Sequence, residues 1–560
     1  MGMRWFGGCA PGGRAVVPHG ARMLWSDPPL WTVGPWRQRL VHTRDGLGVR
    51  LAVFGSCSVG EDDFAAALTA RDFAAVAGAW AGSYTAVRLN AAGAIEVVTD
   101  AASACPIYKV KAPGGIVWGS SSRALAGLAG SRLDPQWLAS YLLDRQAPRA
   151  DRSAWADVVP VPPGHRLTLD ADGSATASSW WTPTSRPYED ALPLVYRALT
   201  EGVRARVQTA QASTDLAGMD STTVTVIAAQ HGPLTGITVH PEDITEGGDM
   251  AYARELNTPG LRRVLFPLRA EHLPFTPAPD RLPATDEPAP SAIVWAMLSA
   301  QLRTALEAGS VCHLTGDGGD NLFLAPPTHI ADLARRGRLL RVAADAQAWA
   351  RLRKISPWPV WKSALRGDAA GLARPWLARP PWVTAAAVEA VSEPGRDADA
   401  VLVADVCGAA RLANGDVQAA DSLGIELHNP YFDGALLDAV VSVPSWKRFS
   451  VSRYKPMLVD AAGHLLPKVH RARVTKGVFA ADFHHGLRTN LDRVLSLTDA
   501  RLAAMGLVDP TPLRAAVHGV ALGADTIWPQ LLTAIGAEMW LEAIEEAPAV
   551  AWGPQKEAAA

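Results

Sequence analysis

Cysteine is scarce and poorly placed for either of its structural uses. Five occur in 560 residues, Cys9, Cys57, Cys105, Cys312 and Cys407. The number is odd, the spacing wide and no pair forms CxxC, which argues against a disulfide framework and a zinc site and for a reducing cytoplasm. An excess of charge is lacking too: 53 Lys plus Arg stand against 55 Asp plus Glu, a formal charge of -2. No global field draws in nucleic acid or an anionic membrane, so any anionic ligand is held by local groups. Also missing is a long apolar run, none reaching the roughly 18 residues of a membrane-spanning helix. The opening MGMRWFGGCAPGGRAVVPHG breaks every apolar stretch with glycine or proline, so no signal peptide is expected.

What is there reads as two domains, the default for a chain of this length. From Leu51 to about Leu128, short apolar runs (LAVFG, SYTAVRL, IEVVTD, GIVWGSSS) alternate with turn residues, the punctuation of a β-rich half. A further strand pair, HRLTLDADGSATASSWW, flanks the Asp172-Gly173 turn, and TPTSRPYEDALP reads as a linker with the boundary between Pro183 and Leu192. Beyond it LPLVYRALTEGVRARVQ predicts an amphipathic helix. Strand, glycine turn and helix then follow one another through DLAGMDSTTVTVIAA, GITV and DMAYARELN, predicting βα units on a parallel sheet. Pro267 to Pro290 is proline-rich and acidic and reads as an irregular loop, and the tail EEAPAVAWGPQKEAAA is expected to fray.

Two glycine-bearing turns carry the chemistry. In DLAGMDSTT a small-residue turn leads through Asp220 and Ser221 into an apolar helix. Such a turn aims backbone N–H groups at a pyrophosphate, with an acid to hold magnesium; alone, it reads more simply as a capped helix start. About a hundred residues on, HLTGDGGDNLF places three glycines and two aspartates after an apolar strand. That loop suits a metal or phosphate site and a plain turn alike, and its acids are able to face Asp220 across the strand ends.

Together these segments resemble the asparagine synthetase and β-lactam synthetase family, whose synthetase domain carries an S-G-G-x-D-S loop, an S-G-E-G-x-D-E type loop and a P-F-L-D segment. Here Ala217-Gly218-Met219-Asp220-Ser221 corresponds to the first, Thr315-Gly316-Asp317-Gly318-Gly319-Asp320-Asn321 to the second, and Asn429-Pro430-Tyr431-Phe432-Asp433 to the third. Arg453-Tyr454-Lys455, then Leu466-Pro467 and Arg471 to Gly477, resemble the lysine-bearing segments. The resemblance implies ATP and Mg²⁺ as cofactors, with Asp220 and Asp320 as metal ligands. Ala217, Gly218, Ser221, Thr222, Thr315 and Gly316 would lie along the nucleotide, and Lys476, Lys455 and Asp317 would be catalytic, the lysines neutralising charge as pyrophosphate leaves. Asp433 is expected to cap the following helix, and Asp249 to be a cap or first-turn acid. The chain departs from the family at Leu216 and Ala217, where serine and glycine are usual, so a phosphate-binding hydroxyl is missing unless Thr222 or Thr223 supplies it; Asp317 stands for a longer glutamate.

The resemblance also implies the fold. Residues 1–187 would be an α+β, N-terminal-nucleophile glutaminase-like β-sandwich, and 188–560 an α/β PP-loop synthetase of the adenine-nucleotide α-hydrolase type with helical insertions. The family's glutaminase uses a first-residue cysteine. This chain opens Met-Gly-Met, so glutaminase activity is not expected, and Cys105 is expected to be a buried small residue. Without released ammonia the amine comes from the substrate, as in β-lactam synthetases and lasso-peptide macrocyclases. The DGGDN loop, the Thr-Lys-Gly ending and the insertions around 331–416 look more like the macrocyclases, which join an Asp or Glu side chain to a peptide's N-terminal amine. A precursor peptide, a leader peptidase and a leader-binding protein would then be partners. The region Trp349 to Trp382, with Arg351, Arg353 and Arg366, would wall the peptide chamber, or would be ordinary helical packing. Alternatives are a small-molecule amide ligase with the same acyl-adenylate chemistry and an inactive peptide-binding scaffold.

Overall fold

Alternating apolar residues in the first half close into two six-stranded antiparallel sheets. One runs Val159–Pro160, Tyr108–Ala112, Gly115–Gly119, Trp5–Cys9, Leu30–Val33, Arg22–Trp25; the other runs Ala175–Ser179, His165–Leu169, Ile95–Thr99, Gly82–Leu89, Val49–Cys57, Val41–Gly46. Their facing sides share a core in which Phe6 stacks on Phe54, ring centroids 4.0 Å apart, beside Trp118, Val87 and Leu167. Helices Glu61–Thr69 and Phe73–Ala77 cover the outer face of the second sheet through Phe64 and Phe73. The strand Gly82–Leu89 therefore reads as a continuous buried run rather than an alternation. The computed structural model describes residues 2–554 apart from 14–15, 146–148, 244–245, 368–371, 373–378, 390–397, 473–479 and 525.

The second half opens with α1 (Tyr188–Val207), whose first turn contains Glu189 and Asp190, acids that favour a helix N-terminus. Those residues belong to the helix and not to the linker in which the sequence had placed them. Then come β1 (Ala212–Asp215), α2 (Met219–Ala229), β2 (Leu234–Pro241), α3 (Gly248–Glu255), β3 (Leu261–Leu268), α4 (Trp295–Glu307), β4 (Cys312–Leu314) and α5 (Gly319–Phe323). An inserted helical layer, α6 (Thr328–Arg335), α7 (Leu339–Arg353), α8 (Pro357–Leu365) and α9 (Ala398–Leu423), precedes β5 (Glu426–His428). The five strands are parallel in the order β3-β2-β1-β4-β5. Strand order reverses between β1 and β4, and the crevice beyond their carboxyl ends is where such sheets take ligands.

The two halves are tied by buried polar contacts. Arg4 reaches Asp421 of α9, and Arg37 and Arg39 reach Glu426 of β5. Beyond the end of β3 at Leu268 the proline-rich stretch is irregular apart from 3-10 turns such as Ala270–His272, and two of its four acids, Asp286 and Glu287, are buried in use. Asp286 accepts from the Ser121 hydroxyl at 2.7 Å, and Glu287 pairs with Arg411 of α9. The tail does not fray before residue 554: Trp552–Pro554 pairs antiparallel with Val16–Pro18, and the Trp552 indole donates to the Ala124 carbonyl at 3.2 Å. Backbone pairing plus a large apolar ring outweighs the absence of any periodic pattern there.

Candidate active site

Both glycine turns leave the carboxyl ends of adjacent strands. β1 gives way through Leu216-Ala217-Gly218 to α2, with Asp220 in its first turn, and β4 gives way through Thr315-Gly316-Asp317-Gly318 to α5, with Asp320 in its first turn. Two aspartates a hundred positions apart thereby share one crevice. Their common partner is Lys455, whose ammonium lies 2.6 Å from Oδ1 of Asp320 and also contacts Oδ2 of Asp220. The Lys455 side chain is fully buried, whereas that of Asp320 is 38% exposed. Burial alone would lower the lysine's pKa; Asp220, then Asp320, outweigh it and hold the ammonium above its ordinary value. Lys455 has a left-handed backbone, φ +44°, immediately before Pro456, at the start of a helix spanning Pro456–Ala462. A non-glycine residue adopts that conformation at a cost of order 1 kcal/mol, which surrounding contacts must offset.

Three loops interlock around this trio, and the glycines are what lets them. A Cβ on Gly319 would lie 2.4 Å from Cγ of Asp220, one on Gly316 2.7 Å from the Ser221 nitrogen, and one on Gly318 (φ +91°) 2.9 Å from the Phe432 ring. The Tyr431 hydroxyl donates to the Asp220 carbonyl at 3.0 Å, and the Thr315 hydroxyl donates to Oδ1 of Asn429 at 2.7 Å. The third motif is therefore a brace for the other two. No side chain caps α2, so its first N–H groups face the crevice end, where an anion is favoured.

The remaining predicted residues are placed as follows. Ala217 and Gly218 line the turn; the Ala217 N–H donates to the Ser221 hydroxyl at 3.2 Å. Leu216 is core and packs against Gly236. Thr222 is buried, and Thr223 is buried with its hydroxyl donating to the Met219 carbonyl. Neither presents an open hydroxyl in place of the missing serine. Asp317 is exposed on the loop, with its own N–H donating to the Thr315 hydroxyl at 3.0 Å. Lys476 lies outside the described residues. Asp249 is a first-turn acid of α3. Asp433 is structural but not as the expected cap: it makes no side-chain capping bond, and its carboxylate instead receives the fork of Arg206 and the Ser83 hydroxyl. A buried guanidinium is the stronger donor and takes both oxygens.

Sequence reasoning missed two features. Ser213 of β1 bonds Nδ1 of His313 on β4 at 2.8 Å; Nε2 of His313 lies 3.0 Å from Oδ1 of Asp215, which also accepts from Gln301 at 2.6 Å. Despite its serine, histidine and aspartate, this is not nucleophilic machinery, because Ser213 and His313 are fully buried. It pins β1 to β4 at the switch point. Secondly, Asp416 on α9 accepts from the Ser291 N–H and hydroxyl at 3.0 Å each, and burial, aided by repulsion from Asp317, pushes its carboxyl up to about 7. Polar residues in a central strand and an acid inside an alanine-rich helix were the available signals.

Elsewhere, a cavity of about 110 Å³ between the halves is lined by Arg4, Cys105, His428 and Asn429 among others. Cys105 is half-buried rather than buried because it faces this cavity. Burial pushes its thiol up to about 12 and those of Cys9 and Cys57 up to about 11 and about 12. Among the described residues no cluster of three or more metal-ligating side chains occurs, and no helix is long and apolar enough to cross a membrane.

Against this geometry, the asparagine synthase family profile matches residues 194–542, more than half of the chain. The chain belongs to the asparagine synthase family. It thereby joins the ATP-dependent ligases that form amide bonds. Solved structures similar to it include an allosteric regulatory enzyme of purine biosynthesis, at 9% identity and TM-score 0.21, covering 47% of this chain and 74% of that one. Another is a glutamine phosphoribosylpyrophosphate amidotransferase from B. subtilis, at 10% identity and TM-score 0.21, covering 49% and 78%. Likeness at that level carries no weight for the fold. No curated protein sequence matches the chain.

Proposed function

We propose that this asparagine synthase family member is a lasso peptide cyclase: it adenylates an Asp or Glu side chain of a processed precursor peptide and joins it to the peptide's own N-terminal amine. The observation that carries the chemistry is the convergence of Asp220, Asp320 and Lys455 at the switch point. Two hard oxygen donors meeting on one cationic centre fit a magnesium–triphosphate, since Mg²⁺ is typically held by one or two carboxylates plus phosphate oxygens. Asp220 and Asp320 would hold it, and once bound it would neutralise phosphate charge. Lys455 supplies a fixed, buried positive charge beside the departing pyrophosphate, where preorganised electrostatics count most. The uncapped N–H groups of α2 bind the same anion.

In this reading a carboxylate oxygen attacks the α-phosphorus and pyrophosphate leaves. The peptide amine then attacks the acyl carbon and AMP leaves with that oxygen. The three thiols of the first half are held neutral by burial, which supports an amine from the substrate rather than ammonia from glutamine. We accordingly read the N-terminal sandwich as a glutaminase-like fold, residues 1–187, kept for packing against a PP-loop synthetase half, residues 188–560. The helical layer α6–α9, inserted directly after the Asp320 helix, favours a substrate larger than a single amino acid. A leader peptidase and a leader-binding protein would act on the same precursor. Incubating the protein with ATP, Mg²⁺ and a leaderless core peptide tests the reading: the expected product has lost one water and resists unthreading. A dehydrated product from a small β-amino acid but none from the peptide would favour the β-lactam type of ligase.

A further inference from the structure

Ten large apolar side chains stand exposed among the described residues, and five of them, Leu339, Leu340, Leu352, Trp358 and Leu365, fall on α7 and α8. Isolated exposed apolar residues need no explanation; such crowding marks a surface that meets something. Leu340 is 91% exposed and Trp358 73%.

Charge is skewed in the same place. From Thr328 to Gly367 nine Lys or Arg stand against two Asp, in a chain whose total is -2. Both acids are engaged inward: Asp332 accepts from the Ser445 hydroxyl, and Asp345 lies 3.1 Å from Nε2 of His329. Arg335 pairs with the first of these acids and Arg341 with the second, and other cations of the segment lie at the surface. Lys362 and Arg366 are exposed, and Arg336 and Arg338 each lie 4.7 Å from the centroid of the Trp446 ring, with Lys447 at 5.0 Å. Three like charges around one indole repel one another, and an arriving acid relieves that repulsion.

We propose that the outer face of α6–α8 docks an acidic segment bearing apolar side chains, carried by the peptide that is joined. Position supports this occupant. α6 begins eight residues after Asp320, and Trp446 precedes Lys455 by nine, so a chain held here lies along the two elements that deliver the site's charged groups. A lipid surface suits the face less well, because its apolar residues are spread over the ends of α7 and over α8 and do not follow one helix stripe. That the bound segment belongs to a substrate rests on the peptide reading given above; that the face binds acidic peptide does not.

The test uses the full-length protein without ATP. Anisotropy would be measured with a fluorescein-labelled peptide of alternating glutamate and leucine, with a lysine–leucine peptide beside it, and sedimentation with phosphatidylserine–phosphatidylcholine vesicles. The acidic peptide is expected to bind, more weakly at higher salt, and the basic one not to. R336E/R338E/K362E/R366E is expected to weaken binding about tenfold or more with an unchanged melting temperature. If that variant misfolds, the neutral pair K362Q/R366Q must still weaken it. Equal binding by variant and parent, equal binding of both peptides, or capture by vesicles without peptide binding would each overturn the proposal. A protein that binds the acidic peptide here yet forms no amide would refute the cyclase reading and leave the docking face standing.

Discussion

The Lys455 ammonium lies 2.6 Å from Oδ1 of Asp320 while also contacting Asp220, so one buried cation serves the turns after β1 and β4 together. Replacing it with methionine keeps the apolar stem and removes the charge. ATP–pyrophosphate exchange in K455M is expected to fall by about 10²–10³. Because the three groups act as one unit, K455M/D320N should be little worse than the weaker single variant. Additive losses would show that the lysine and the acid act separately.

Gly319 is predicted to tolerate no side chain. In G319A the new Cβ would meet Cγ of Asp220 at 2.4 Å, and overpacking of this kind costs about 1–3 kcal/mol. Turnover should fall further than stability if the displaced carboxylate is the metal-holding one proposed above; a melting curve beside an exchange assay separates the two. Alanine at Gly523, whose added Cβ would meet nothing within 4 Å but whose φ of +89° favours glycine, serves as a backbone-strain control without a clash.

Asp433 is expected to matter for folding rather than turnover. Its carboxylate, fully buried, joins Arg206 of α1 to Ser83 of the sandwich. D433A strands the guanidinium and should cost about 3–5 kcal/mol, read as a lower urea midpoint. Exchange activity of the fraction that folds should be close to the parent's, and a loss confined to activity would contradict the structural role.

Asp100 gives a pH signature. Burial first, then repulsion from Asp433, pushes its carboxyl up to about 8 against an ordinary 3.8. With the folded pKa above the unfolded one, the protonated form is the one the fold favours. Its contribution is complete below about pH 4 and is lost as pH rises to about 8, at about 1.4 kcal/mol per pH unit. D100N cannot ionise, so the decline in stability between pH 5 and pH 8 should flatten. An unchanged slope would show that Asp100 does not titrate there.

Local features of this fold were legible in the sequence. Gly316, Gly318 and Gly319 marked the second turn, where close approach leaves no room for a Cβ, and α2, β2 and α3 followed from apolar runs and turn residues, whereas the polar β1 (Ala212–Asp215) gave no such signal. Non-local pairings were not. Asp433 finds Arg206 and Ser83 at separations of 227 and 350 positions, which no spacing rule reaches, so its adjacency to a helix made capping look sufficient. Trp349 and Trp382, for which the sequence left chamber wall and ordinary helical packing both open, are core residues. Val342, Ala346 and Trp349 fall at helical spacing on the buried face of α7, and only Trp358 of the described tryptophans in that region is exposed. Asp286 and Glu287 were legible only as part of an acidic, irregular loop, because their partners lie on α9 and in the first half.

Isotope tracing tests the central claim most directly. A linear peptide whose side-chain carboxylate carries heavy oxygen would be incubated with the protein, ATP and Mg²⁺, and the nucleotide product examined by mass spectrometry. Activation at the crevice of Asp220, Asp320 and Lys455 predicts AMP containing one heavy oxygen, formed in step with the dehydrated peptide and absent with D320N. Unlabelled AMP, ADP with phosphate, or labelled AMP from D320N at the parent's rate would contradict it.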